Sequence, residues 1–168
     1  MAIDATVGGA SADSYSSVSG GDDYHDDHLY STTWIAASTA NKEKALKMAT
    51  RILDERVDWI GYKNTDAQSL RWPRAAALTP DGYAVLTTEI PAAVGNATSE
   101  FARHLIGTDL TVNADGKGID SLSVGSISVN FDKEDTADVL PTIVREMLRG
   151  WGSVHSRARF GIVNVVRT

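Results

Sequence analysis

The chain has 168 residues, 42% of them hydrophobic, with four tryptophans, no cysteine and a formal net charge of −6. That is enough apolar material for the core of one domain, while disulfides, thiolate metal sites and an apolar run long enough to cross a membrane are all excluded. Residues 1–40 hold six Asp and no Lys or Arg, whereas residues 145–168 hold five Arg against one Glu, so an acidic body with a basic end disfavours nucleic-acid contact over most of the surface.

Residues 1–17, rich in Gly, Ala, Ser and Asp, read as a loose or docked arm. They lack the basic region and apolar core of a signal peptide, so none is expected. Ser19 offers an N-cap to a short helix over about 20–29, with Asp22 and Asp23 in its first turn, where the helix dipole favours anions. His25 and His28 share a helical face there beside Asp26 and Asp27. Local spacing supplies no third ligand, so a polar surface is preferred and no metal is expected. Ser38 or Thr39 caps a second helix over about 40–57. Leu46, Ala49, Leu53 and Val57 form its apolar stripe, Ala45, Met48 and Ile52 widen it, and charged residues occupy the rest. Trp34 and Trp59 read as core lids at its two ends.

Residues 58–89 read as irregular, and Leu70-Arg71-Trp72-Pro73-Arg74 is their most distinctive stretch. Pro73 pushes Trp72 toward extended geometry. In one reading Arg71 and Arg74 flank a ring that stacks on a base. In the other, which the acidic surroundings favour, Trp72 plugs the core and the arginines pair with local carboxylates. Pro80-Asp81-Gly82 signals a turn. A helix over 90–105 then organises the chain, with Ile90, Val94, Ala97, Phe101 and Leu105 on one face. Pro91 suits its first helical position and Gly107 its stop. Gly95, an internal weakness, is either tolerated or marks a close backbone crossing.

Ser121–Phe131 reads as a hairpin turning at Gly125-Ser126, with Val124 opposite Ile127 and Leu122 opposite Val129. A last helix spans about 141–149, with Ile143, Val144, Met147 and Leu148 buried and Gly150 as its stop. Trp151 ends the compact part, and residues 153–168 follow with no helical period and no acid, Phe160, Ile162, Val163, Val165 and Val166 being β-formers without a local partner strand. The expected architecture is mainly α: a small bundle of about four helices with one β-hairpin and an extended C-terminal tail. Its expected divisions are an arm over 1–17, a helical domain over 18–152 with its hairpin at 121–131, and the tail over 153–168.

The order of these pieces resembles the head–tail connector (adaptor) proteins of tailed bacteriophages, some of which carry a DnaT-like single-stranded-DNA-binding label. The resemblance runs from about Ser14 to the end. It rests on Ser14-Tyr15, the basic second helix, the run Leu70–Arg74, Pro80-Asp81-Gly82-Tyr83, the helix beginning Ile90-Pro91, the SVGSISV hairpin and the Arg- and Val-rich end. It implies a virion subunit, assembled in the host cytoplasm, that forms a twelve-membered ring under the portal. Such a ring extends the DNA channel, lets DNA pass without sequence-specific binding, and docks the next neck or tail protein. Arg157, Arg159, Phe160, Ile162, Val163, Val165, Val166 and Arg167, basic and β-prone, are then expected to bind the portal protein. The alternative is a single-stranded-DNA-binding module, for which Arg71, Arg74 and the tail are the candidates. No nucleophile elbow, phosphate loop, HExxH or paired-carboxylate pattern is present, so no catalytic residue, enzyme activity or cofactor is expected.

Overall fold

A computed structural model describes residues 2–111, 121–124, 127–130 and 139–155. Helix α1 spans Val18–Asp26 and is capped by Ser17, not Ser19: the extended Ser17 backbone lets its hydroxyl accept from Gly20 N at 3.0 Å. Helix α2, Thr32–Ile35, is a single turn, too short to leave a periodic pattern, and it buries Trp34. Helix α3, Thr39–Arg56, starts at Ser38 as expected and buries Leu46, Ala49, Ile52 and Leu53. Helix α4, Ala92–Gly107, packs against α3 and against α1, α2 and a last helix α5, Thr142–Met147, so it is the hub of the bundle. Pro91 is its N-cap, and Gly107 is its last residue, followed by an extended Thr108. Val94, Ala97 and Phe101 are buried as expected, while Ile90 and Leu105 are half-buried. In α5, Val144 is buried but Ile143 is exposed.

The stretch after α3 is more ordered than its composition suggests. Strand β1, Val57–Trp59, is followed by β2, Tyr62–Lys63, and β3, Arg74–Ala75, which pair antiparallel. Strands of two or three residues leave no alternation to read. Strands β4, Ser121–Val124, and β5, Ile127–Asn130, pair with Leu122 opposite Val129 and Val124 opposite Ile127, the expected register. The turn residues 125 and 126 lie outside the described residues. Strand β6, Gly152–Val154, pairs antiparallel with β1, Ser153 opposite Asp58 and Val154 opposite Val57. His155 N then donates to Arg56 O at 2.8 Å. The partner of Ser153 and Val154 is thus not local: it lies far back in sequence, where a local pattern cannot show it.

Five helices are described where about four were expected, and the fold is mainly α with short two-stranded ribbons. The arm is docked. Asp13 N and Ser14 N donate to Asp4 O, Lys47 pairs with Asp13 at 2.6 Å, and Ser14 and Tyr15 are buried. Among the described residues no helix is long and apolar enough to cross a membrane. Arg157, Arg159, Phe160, Ile162, Val163, Val165, Val166 and Arg167 lie outside the described residues.

Candidate nucleic-acid interface

Trp72 is 1% exposed, its ring edge-on to Trp59 at 5.9 Å and to Trp151 at 6.1 Å. It is a core plug, and a base has no access to its face. Behind it the Asp54 carboxylate accepts from the Tyr15 hydroxyl, from Trp59 Nε1 at 3.1 Å and from Arg71 N at 3.2 Å. Burial pushes the Asp54 carboxyl above its ordinary range, against the pull of those hydrogen bonds. Tyr15 is raised by burial and by the neighbouring Asp54 charge.

Arg74 departs from the expectation that both arginines pair with carboxylates. Its buried side chain donates to backbone carbonyls: Ile60 O at 2.5 Å, Gly61 O at 2.6 Å, Arg71 O at 3.1 Å and Trp59 O at 3.4 Å. Burial lowers its pKa first of all. Leu70 is half-buried and Pro73 buried, while Arg71 is exposed and bonds Asp54 through its backbone N–H. Of the five, only Arg71 presents its side chain to solvent.

These contacts shape a hairpin over 60–77. Tyr62 pairs with Ala75 and Lys63 with Arg74. The loop closes on buried Gln68, which accepts from Thr65 N at 3.0 Å and donates to Leu70 O at 2.9 Å and Pro73 O at 3.0 Å. Lys63 Nζ donates to Gln68 O at 2.8 Å. Gly61, at φ +69°, lies so close to the backbone of Ala75–Ala77 that a Cβ would collide with it. Held from inside, the hairpin turns outward a tyrosine that is 63% exposed, Tyr62, with the exposed Lys63 and Arg71. Over 60–77 three cations, Lys63, Arg71 and Arg74, face one acid, Asp66, so this element is locally positive in a chain of net −6. The pattern reading missed Tyr62 and Lys63. The signal that finds them is this local charge excess beside a tyrosine.

A family model described as "Putative DnaT-like ssDNA binding protein" matches residues 1–168. The chain belongs to this DnaT-like family. No curated protein and no solved structure matches it. Membership of a family described by single-stranded DNA overturns the connector reading, for which no finding speaks. The twelve-membered ring, the portal-binding tail and the docking of a neck component fall with it.

The DnaT-like chain uses its histidine cluster for packing. His25 is fully buried against the Trp34 ring at 4.7 Å, with Nε2 3.1 Å from Ser99 O, and burial lowers its pKa. His28 Nε2 lies 3.7 Å from Glu100 and His104 Nε2 lies 3.2 Å from it, while Arg103 also donates to that carboxylate. Burial works to raise the pKa of Glu100, but the hydrogen bond and charge of Arg103, with the two histidines, hold it below its ordinary value. Among the described residues no group of three or more His, Asp or Glu is arranged to hold a metal ion.

Proposed function

We propose that this protein binds single-stranded DNA through the hairpin over 60–77, as a binding protein rather than an enzyme. The observation that carries the reading is Tyr62: an exposed ring on the same hairpin as the exposed Lys63 and Arg71, the locally positive element of an acidic chain. Family membership supports the same ligand class. An aromatic face stacks on any base, and adjacent cations neutralise backbone phosphates, so such a site tolerates sequence and favours unpaired strands. Buried Trp72 and the carbonyl-bound Arg74 support the platform from behind without touching DNA.

The test is a fluorescence-anisotropy titration of labelled dT12 and of a duplex of equal length. The wild-type protein should bind dT12 more tightly than the duplex. Tyr62→Ala should lose about 1–3 kcal/mol of affinity, the usual worth of one base–aromatic stack, with its melting temperature unchanged. No binding by the wild-type chain, or full affinity in a folded Tyr62→Ala protein, overturns the reading.

A further inference from the structure

A second exposed tyrosine follows on the next turn of the chain. Residues 77–85 form a tight hairpin in which Leu78 bridges to Ala84 and Val85 N donates to Ala77 O at 3.0 Å. Thr79 closes its tip: Thr79 N donates to Tyr83 O at 2.7 Å, Gly82 N to Thr79 O at 2.8 Å, and Tyr83 N to Thr79 Oγ1 at 3.1 Å. The backbone around Tyr83 is thus bonded inward while its side chain is not: the residue is 74% exposed. This hairpin is locked to the first one. Gly61 lies against the Ala75–Ala77 backbone that joins them, and Asn64 Nδ2 donates to Thr87 O at 3.1 Å. From the other side Gly150 packs on Pro80, which brings the exposed Arg149 to the foot of the same tip.

We infer that Tyr83 is a second base-stacking station, placed at a fixed offset from Tyr62 so that one strand of DNA spans both. This rests on the proposed single-stranded-DNA reading. The offset is bounded by the ladder. From Ala75, opposite Tyr62, to Thr79, opposite Tyr83, is four residues, about 13 Å extended, and each of two cross-strand steps adds about 5 Å. The two tyrosine Cα atoms are therefore at most about 23 Å apart, a length that about seven nucleotides cover at the stacked rise of 3.4 Å per residue of one strand. Asp81 puts one negative charge into the tip, so this station acts by stacking more than by phosphate contact. Two rings on a rigid scaffold bind a long strand without ordering it twice, which is where effective concentration multiplies affinity.

The experiment varies oligonucleotide length against the two tyrosines in the full chain, reading anisotropy with dT3 and dT12. Tyr83→Ala should weaken dT12 binding about 5- to 150-fold, the range of one lost stack, and leave dT3 binding at Tyr62 unchanged. Tyr62→Ala should weaken both, and Tyr83→Phe, which keeps the ring, should bind dT12 as wild type does. A folded Tyr83→Ala protein with wild-type affinity for dT12, while Tyr62→Ala is impaired, overturns the second station and leaves the proposed function standing. Failure of the wild-type chain to bind either strand overturns both.

Discussion

Trp72→Ala should destabilise the fold by about 3–5 kcal/mol, the usual effect of emptying a buried aromatic site, because the indole is 1% exposed and edge-on to Trp59 and Trp151. Thermal melting checks it, and a variant that melts with the wild-type protein would show that the ring is not a core plug. Tyr62→Ala on the same hairpin should stay within about 0.5 kcal/mol of wild type, as surface substitutions do, since most of its ring faces solvent. The contrast shows what single residues let one read. A large ring between arginines, in acidic surroundings, was legible as core. The partners of Arg74 were not: they are carbonyls of residues 59–61 and 71, and a carbonyl has no signature in a sequence. Tyr62 was passed over because a strand of two residues has no period.

Helix α4 shows the same limits one scale up. Its apolar spacing makes it legible as the hub, whereas spacing does not separate a tolerated weakness at Gly95 from a close backbone crossing. Another backbone does pass, but a Cβ on Gly95 would meet Tyr15 O at 3.7 Å, ordinary van der Waals contact. Gly95→Ala should therefore stabilise by about 0.5–1 kcal/mol and raise the melting temperature by roughly 1–4 °C; a lower melting temperature would mean that the crossing is tighter than it looks. The same helix carries Glu100, whose folded pKa is depressed. A depressed carboxyl contributes stability that is present above its unfolded value and is lost as pH falls through the folded one. Acidification below about pH 4.3, the ordinary Glu value, should thus loosen the contact of α1 with α4. Glu100→Gln, at a loss of about 1.5–3 kcal/mol at neutral pH, should flatten that part of the pH–stability curve. Asp54 works in the opposite sense. Its raised pKa gives stability that is present at low pH and is lost as pH rises through the folded value. Melting across pH in Glu100→Gln and Asp54→Asn separates them: a Glu100→Gln curve parallel to wild type would remove Glu100 from the account.

Across the described residues, the long periodic helices and the pairing of β4 with β5 were legible because their signals are local, whereas the closure of β6 on β1 was not. That closure separates two truncations. Stopping at Gly152 removes the residues opposite Asp58 and Val57 and the bond from His155 N to Arg56 O, while stopping at His155 keeps them. The shorter chain should melt lower than the longer by about 3–9 °C, for roughly 1–3 kcal/mol of ladder hydrogen bonds and packing. Equal melting would make β6 dispensable. Charge is the other property of the whole. At net −6 the body repels a polyanion, so on the proposed reading DNA affinity rests on the few cations that the hairpin turns outward. For single strands log K falls with log salt at a slope of about −0.7 for each phosphate neutralised. With Lys63 and Arg71 as the two contacts the slope should be about −1.4, roughly a sevenfold loss between 50 and 200 mM salt. Lys63→Ala should bring it to about −0.7. Tyr62→Ala should lower affinity at every salt concentration and leave the slope alone, because stacking releases no counterions. A steep slope that survives both Lys63→Ala and Arg71→Ala would place the phosphate contacts elsewhere on the chain and remove the hairpin from the interface.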